Sequence, residues 1–268
     1  MNTVPPAAPV GASDPIPRII HQTWKTEDVP DRWRPYQASW RRAHPDWAYR
    51  LWTDAANRDL IARLYPWFLP TYDAFPREIQ RVDAAKYFIL YTCGGVYADL
   101  DCECVKPLDP LLACGGAVVS RTRDGVIDCA ILASSPRHPF WQTVFRAMEH
   151  PTLTARLMRH VRPLHASHVL FTTGTRMMKR TVRRSAAAGA AAGTLTVCDA
   201  RFLSARSWLD RYEAFDEPDA FVRHHYSDSW LRPGEQRAHR WLTRKTAWRV
   251  AGFLLLAGLL VGVGAAVR

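Results

Sequence analysis

The stretch from Arg81 to Leu112, RVDAAKYFILYTCGGVYADLDCECVKPLDPLL, carries the strongest signals about the fold of this chain. Apolar residues recur at helical spacing from residue 79 to residue 91, which predicts a helix. The glycines at 94 and 95 follow at the place where glycine commonly ends a helix. Residues 96–98 (VYA) then predict a short buried strand that runs directly into two aspartates, Asp99 and Asp101.

The two aspartates have a simple chemical reading. If the strand continues, side chains two residues apart project in the same direction, so the carboxylates of Asp99 and Asp101 approach each other. Two negative charges at such a short distance repel each other unless a cation lies between them. Carboxylates favour hard divalent ions such as Mg²⁺ or Mn²⁺. Such an ion commonly bridges to phosphate oxygens. A solvated turn remains the alternative for an Asp-x-Asp pair considered alone.

The helix before this pair carries further charged residues. Asp83 and Lys86 are three residues apart and therefore share a helix face, and Arg81 lies two residues before Asp83. An intrahelical ion pair between Asp83 and Lys86 explains the spacing without any function. In the functional interpretation, Asp83 accepts hydrogen bonds from sugar hydroxyls while Arg81 or Lys86 neutralises a phosphate.

Strands and helices alternate along the rest of the chain. This alternation predicts an α/β fold with a mostly parallel sheet, in which ligands bind beyond the carboxyl ends of the strands. An Ala/Gly-rich run at 186–193 predicts a loop insertion. Further strands are expected at 16–24, 48–52, 116–119 and 129–133, and further helices at 33–42 and from 138 to about 150.

Composition narrows the class of protein. The chain has 268 residues, of which 48% are hydrophobic, and this fits one globular domain with appendages. The net charge of +11 is compatible with binding to nucleic acid, but the sequence contains no nucleic-acid-binding motif. The basic excess lies mainly at 156–184 and 232–249, and a membrane surface is the simpler partner for the second cluster. Six cysteines without a Cys-x-x-Cys pair leave a disulfide open.

The C-terminal residues 250–267 form an unbroken apolar run. A helix of this length reaches roughly 27 Å, just enough for a bilayer core, and basic residues with Trp241 and Trp248 precede it. We expect a single-pass membrane anchor, with a buried C-terminal helix as the alternative. The expected organisation is a disordered leader (1–15), one catalytic domain (16–235), a basic juxtamembrane segment (236–249) and a transmembrane helix (250–267).

Five ordered blocks give the chain a specific resemblance. Besides 81–112, these are IPRIIHQTWKT at 16–26, residues 40–54, SSPRHPFW at 134–141 and HHYSDSW at 224–230. Together they resemble the DXD-containing glycosyltransferase family that includes initiating α-1,6-mannosyltransferases and inositol phosphoceramide mannosyltransferases. The resemblance implies a GT-A fold, a Rossmann-like sheet flanked by helices. It also implies retaining transfer from a nucleotide sugar, with Mn²⁺ or Mg²⁺.

The resemblance also assigns expected roles to residues. Asp101 is expected to bind the metal directly, with Asp99 also at the metal and nearer the ribose and sugar, while Asp83 and Lys86 hold donor hydroxyls. Arg81 is expected to help to stabilise the leaving diphosphate. Asp128 stands where the family often has Asn, and it is the one weak candidate for a nucleophile. Tyr97 is placed with the donor-binding residues, Gln22, Thr23 and Trp24 with the nucleoside, and the late His224, His225, Ser229 and Trp230 with the metal and the diphosphate.

Donor and acceptor are expected to be GDP-mannose and a membrane glycolipid or glycan, such as an inositol phosphoceramide. The location would be the Golgi or another endomembrane if the source is eukaryotic. A UDP-hexose with a glycan or protein acceptor stays open, as does an inactive, membrane-tethered sugar-binding relative. A nucleotidyltransferase or nucleotide-sugar hydrolase would share the aspartate pair but lacks the late Ser-Trp block.

Overall fold

The computed structural model describes residues 15–113, 116–122, 125–160, 165–189, 194–199, 201–203 and 218–236. Almost all of the expected leader, the juxtamembrane segment beyond Gln236 and the expected membrane helix at 250–267 lie outside these residues. Within the described part, no helix combines the length and apolar character needed to cross a membrane.

Eight strands and nine helices are described, and their bounds follow the sequence predictions closely. Each predicted strand or helix is present with its ends shifted by a few residues, as expected for element boundaries. The strands are β1 (Ile19–Thr23), β2 (Ala48–Trp52), β3 (Gly95–Ala98), β4 (Cys102–Cys104), β5 (Ala117–Arg121), β6 (Ile127–Ser134), β7 (Leu195–Cys198) and β8 (Val222–His224). The helices are α1 (Arg34–Ala43), α2 (Asp54–Leu64), α3 (Leu69–Asp73), α4 (Glu78–Cys93), α5 (Asp109–Leu112), α6 (Phe140–Glu149), α7 (Leu153–Met158), α8 (His165–Thr172) and α9 (Thr175–Ala188).

Six strands form one sheet in the order β2-β1-β3-β6-β5-β7. The pairs β1–β2, β1–β3 and β5–β7 are parallel, while β6 runs antiparallel to both of its neighbours. Arg121 pairs directly with Ile127, so a short connection turns the chain back and β6 must run against β5. The predicted mostly parallel α/β sheet is therefore confirmed, with one reversed strand. A separate two-stranded sheet pairs β4 with β8.

Helix α4 directly precedes β3, which is one of the two central strands of the main sheet. It ends as predicted at a glycine, Gly94, whose φ of 66° favours a residue without a side chain. A Cβ at Gly94 would lie 2.8 Å from the Cδ atoms of Pro136 and Pro17, so this turn is also closely packed. The tight turn sends the chain straight into β3, whose four residues are all buried.

Apolar side chains cover both faces of the sheet in two clusters. One cluster joins α4 to α6 and α9, where the rings of Phe88 and Phe145 stack at 3.9 Å. The other includes Trp40 of α1, whose indole N–H donates to the Cys102 carbonyl at 2.8 Å. This bond ties α1 to the residue directly after Asp101. Cys93, Cys102, Cys104, Cys129 and Cys198 are free thiols, so these five form no disulfide with one another.

Candidate active site

Asp99 lies at the carboxyl end of β3 and is held by the strand that precedes it. The phenol of Tyr97 donates to Asp99 Oδ1 at 2.8 Å and also lies 2.8 Å from the hydroxyl of Thr23 in β1. The Asp99 amide donates to the Ala130 carbonyl of β6 at 2.9 Å. Three neighbouring strands therefore fix this aspartate.

A buried cation lies beside Asp99. Lys86 is 2% exposed, and its Nζ lies 2.8 Å from Asp83 Oδ1 and 3.9 Å from Asp99 Oδ1. The second oxygen of Asp83 accepts from the Thr173 hydroxyl at 2.9 Å. Burial by itself would lower the pKa of Lys86, but Asp83 and Asp99 raise it well above its usual range. The predicted shared helix face of Asp83 and Lys86 is confirmed, and this ion pair is buried and extends to Asp99.

The two aspartates of the DXD motif differ in their electrostatic surroundings. Burial raises the pKa of Asp99 to about 6, against the opposing effect of Lys86. Burial acts in the same direction on Asp101, but His224 and hydrogen bonding with Ser227 hold the pKa of Asp101 well below its ordinary value. The Ser227 amide donates to Asp101 Oδ2 at 2.9 Å. Asp101 is thus the more firmly ionised of the two.

His224 lies between two carboxylates. Its Nε2 is 3.4 Å from Asp101 Oδ1, and its Nδ1 is 3.5 Å from Asp128 Oδ2. The other oxygen of Asp128 accepts from the Ala130 amide at 3.0 Å. Burial lowers the pKa of His224, but the two carboxylates outweigh burial and raise it well above its usual range. The imidazole is therefore oriented from both sides.

The donor set suits a divalent cation. Ligand atoms of Asp101, Cys102 and His224 lie within 4.8 Å of one another. Burial raises the pKa of the Cys102 thiol well above its usual range, and sulfur is in any case a poor ligand for a hard cation. The Asp101 carboxylate with the His224 imidazole suits Mn²⁺, and Mg²⁺ also accepts carboxylate ligands.

The predicted nucleoside residues of β1 border this site. Gln22 Nε2 donates to the Asp99 carbonyl at 3.4 Å, and Gln22 Oε1 accepts from the Tyr49 hydroxyl at 2.7 Å. Trp24 is partly buried and packs on a small apolar cluster that includes Leu100, the central residue of the DXD motif. The structure therefore brings Gln22, Thr23 and Trp24 together with Asp99.

Other predicted residues point elsewhere. The ring of His225 stacks on Tyr36 at 4.2 Å, and its Nε2 lies 3.1 Å from Glu103 Oε2, so its side chain lies apart from that of His224. Arg81 Nη1 donates to the Phe75 carbonyl at 2.8 Å. Within the described residues, neither Arg81 nor His225 forms a side-chain bond with Asp99 or Asp101, although the His225 amide donates to the Asp101 carbonyl.

Ser229 and Trp230 lie in the segment that follows β8. Ser229 is exposed, and the Trp230 carbonyl accepts from Arg77 Nη2 at 3.1 Å. Arg77 also forms paired hydrogen bonds of 2.9 and 3.0 Å with the two carboxylate oxygens of Glu235. This arginine, which no sequence motif singles out, fastens the late segment to the start of α4.

Comparisons with known proteins single out the same part of the chain, the region around Asp99 and Asp101, that forms the candidate site. Residues 30–115 match the family described as a glycosyltransferase sugar-binding region containing a DXD motif. An inositol phosphoceramide mannosyltransferase of Schizosaccharomyces pombe is 48% identical over 131 residues, which are 49% of this chain and 36% of that protein. A mannosyl phosphorylinositol ceramide synthase of Saccharomyces cerevisiae is 44% identical over 50% of this chain and 35% of that protein. The resemblance to the DXD family is therefore confirmed.

The matches differ in how much they cover. The aligned part spans only about a third of the length of these two fungal relatives. An uncharacterized glycosyltransferase of Acanthamoeba polyphaga mimivirus aligns over 80% of this chain and 84% of its own length, at 24% identity. The solved PaToxG glycosyltransferase superimposes with a TM-score of 0.47 at 16% identity, over 64% of this chain and 70% of that chain. Because this superposition is loose, the fold is described from the strand order of the chain itself.

Proposed function

We propose that this chain is a metal-dependent, retaining mannosyltransferase that moves mannose from GDP-mannose to a membrane glycolipid of the inositol phosphoceramide type. The observation that carries the proposal is the contact between the Asp101 carboxylate and the His224 imidazole, next to Asp99 and the buried Lys86. The mannosyl donor and the lipid acceptor are supported by the activities for which the two fungal relatives are named. The strand order, with the aspartates at the carboxyl end of a central strand, supports a GT-A fold.

Asp101 and His224 are the residues that we expect to hold Mn²⁺ or Mg²⁺, with Asp99 on the donor side. A bound cation supplies a Lewis acid for the charge that develops on the leaving diphosphate. Tyr97, whose hydroxyl also contacts that of Thr23, holds the Asp99 carboxylate in one orientation, which reduces reorganisation when the donor binds. Lys86 keeps a positive charge beside Asp83 and Asp99, so this wall of the site is not strongly anionic when a sugar diphosphate approaches.

Retention requires that the acceptor hydroxyl attacks from the face that the diphosphate leaves, or that a covalent intermediate forms. Asp128 is the one candidate for a nucleophile, but it is 7% exposed. One of its oxygens accepts from Ala130, and the other faces His224. These contacts support a positioning role for Asp128 and favour same-face attack by the acceptor.

The acceptor is proposed to lie at a membrane. Residues 250–267 are long and apolar enough for a single helical span, and basic residues precede them. In this proposal the tail anchors the catalytic domain beside its lipid substrate, on a Golgi or other endomembrane in a eukaryotic source. Deletion of 250–267 should release the chain from membranes in a flotation assay.

A donor and acceptor screen tests the function. Purified full-length chain is incubated with Mn²⁺ and GDP-mannose, UDP-glucose or UDP-galactose, with and without inositol phosphoceramide. Mass spectrometry detects glycosylated lipid, and a coupled assay detects the nucleoside diphosphate. We expect a mannosylated lipid from GDP-mannose alone, and chelation of the cation should abolish it.

Other outcomes identify the alternatives. A preference for a UDP-sugar contradicts the mannosyl assignment. Equal turnover without acceptor indicates a nucleotide-sugar hydrolase. Binding of metal and nucleotide without turnover indicates an inactive relative.

A further inference from the structure

A cavity of about 400 Å³ lies between α6 and α9, and none of its lining residues belongs to the candidate active site. Helix α6 contributes Gln142, Thr143 and Arg146, and α9 contributes Arg184, Ser185 and Ala188. On each helix the lining residues are one or about four positions apart, so they form one face. The small side chains of Ser185 and Ala188 leave room between the two helices, with one arginine from each helix at the cavity.

The two arginines lack a counter-charge. Both side chains are exposed at the mouth of the cavity, and among the described residues neither Arg146 nor Arg184 forms a salt bridge. Helix α9, TRMMKRTVRRSAAA, contains five basic residues and no acidic one. Burial, and then the neighbouring Arg184, lower the pKa of Arg180 one turn earlier. Like charges four residues apart, as Arg180 and Arg184 are, destabilise a helix slightly, and a bound anion would reduce this repulsion.

A buried hydroxyl provides independent evidence of a missing polar partner. Ser185 is 4% exposed, and its Oγ has no hydrogen-bond partner in the described part of the chain. One turn earlier, the hydroxyl of Thr181 donates to the Met177 carbonyl at 3.0 Å, the usual arrangement for such residues in a helix. Ser185 lines the cavity instead. The Oγ atom itself is buried, so a rotation of this short side chain towards the cavity would let a ligand supply the missing hydrogen bond and recover the free energy that an unpartnered buried polar group costs.

We propose that this cavity is a binding site for a phosphate group, either on the headgroup of an anionic lipid or free in solution. Guanidinium groups present paired N–H donors that match phosphate oxygens, and two of them converge here from different helices. The hydroxyls of Ser185 and Thr143 can add neutral donors, as can the second amide hydrogen of Gln142, whose Nε2 already donates to the Tyr91 hydroxyl at 3.3 Å. The site does not depend on the transfer reaction.

Calorimetric titration of the purified full chain tests the site with two probes. One probe is inorganic phosphate, and the other is dihexanoyl phosphatidylinositol monophosphate kept below its micelle concentration. The double variant Arg146→Gln/Arg184→Gln should weaken binding about 25-fold, because each arginine contributes a factor of about five. The matched control Arg176→Gln/Arg183→Gln removes two arginines of α9 that are exposed, as Arg146 and Arg184 are, but do not line the cavity, and it should weaken binding less than about threefold.

A third variant guards against misfolding of the double variant. Ala188→Leu occupies the cavity from an exposed helix position without any change of charge, so it should fold and still weaken binding. Loss of binding confined to the cavity variants supports the site, and the probe that binds more tightly identifies the source of the phosphate. Equal losses in the cavity pair and the control pair, or no binding of either probe by the unaltered chain, would overturn the proposal.

Discussion

The imidazole Nε2 of His224 lies 3.4 Å from Asp101 Oδ1. These residues are far apart in sequence, and the pairing of β4 with β8, in which Cys102 faces His224, brings them together. The backbone reinforces the contact, because the amides of His225 and Ser227 donate to the carbonyl and the carboxylate of Asp101. The proposed metal site therefore depends on a small second sheet as well as on the main one.

Asp128 is predicted to tune metal binding through His224. Asp128→Asn removes the charge that faces His224 Nδ1 at 3.5 Å while it keeps nearly the same shape. Loss of such a supporting carboxylate typically weakens metal affinity about 10-fold or more. Titration calorimetry with Mn²⁺ measures this, and Glu103→Gln, which affects the carboxylate beside His225, is the control. Unchanged Mn²⁺ affinity in Asp128→Asn would show that Asp128 does not support the metal site.

Lys86 is predicted to be needed for folding as well as for donor binding. Lys86→Met leaves Asp83 and Asp99 without their buried cation, and removal of one partner of a buried pair costs about 3 kcal/mol or more. Lys25→Met is the matched control, because Lys25 pairs with Glu78 at 3.5 Å on the surface, and its loss should cost less than about 1 kcal/mol. Urea unfolding measures both variants. Equal losses of stability would show that the buried pair is no stronger than the surface pair.

His21 is predicted to make stability depend on pH. It is 1% exposed, and its ring receives the Trp52 indole N–H at Nδ1 and lies 3.0 Å from the Gly94 carbonyl at Nε2. Burial is the main cause that lowers the pKa of His21 from 6.5 to about 4. The unfolded chain therefore binds more protons between these values. Stability is fully present above about pH 6.5 and falls by about 3 kcal/mol as the pH drops towards 4.

The variant His21→Gln isolates this effect. Glutamine can accept from Trp52 and donate to Gly94, but it does not titrate, so the acid-dependent loss of unfolding free energy should be about 3 kcal/mol smaller than in the unaltered chain. Chemical unfolding at several pH values from 4 to 7 measures it. The exposed His150→Gln serves as control. Identical slopes for His21→Gln and the unaltered chain would show that His21 titrates normally in the folded state.

The Arg77–Glu235 pair is predicted to hold the late segment over the site. The pair is bidentate and only 12% and 26% exposed at its two side chains, and Arg77 also binds the Trp230 carbonyl. A double-mutant cycle with Arg77→Gln and Glu235→Gln should give a coupling of about 1–2 kcal/mol. Hydrogen exchange at residues 227–231 should rise in either single variant. If the two substitutions change the free energy of unfolding additively and hydrogen exchange is unchanged, the Arg77–Glu235 pair does not hold this segment in place.

Local signals in the sequence predicted the core of the site. The three-residue spacing of Asp83 and Lys86 predicted their shared face, and the glycines after Cys93 predicted the turn into β3. Alternation along a strand also separates the two histidines: Val222 is buried, Arg223 points outward, and His224 points in towards Asp101. Because side chains alternate with a period of two, His224 and His225 cannot both face the metal from a continuous strand.

Other features depend on contacts that no local pattern encodes. The His224–Asp128 pair joins β8 to β6, and the Arg81 guanidinium binds a carbonyl in the loop before α4 in place of a phosphate-facing position. The expected loop at 186–193 was wrong for residues 186–188, which complete α9, because alanine has the highest helix propensity. Residues 190–193 lie outside the described chain.

The proposed metal and donor site is tested by the rate of mannose transfer from GDP-mannose to inositol phosphoceramide at saturating Mn²⁺. We predict that Asp101→Asn lowers this rate about 10³-fold, because it removes the ionised group that the cation requires. Asp109→Asn, which alters an exposed aspartate paired with Arg18, should keep the rate within about twofold. Full activity of Asp101→Asn at saturating Mn²⁺ would show that this aspartate does not hold the metal and the sugar diphosphate.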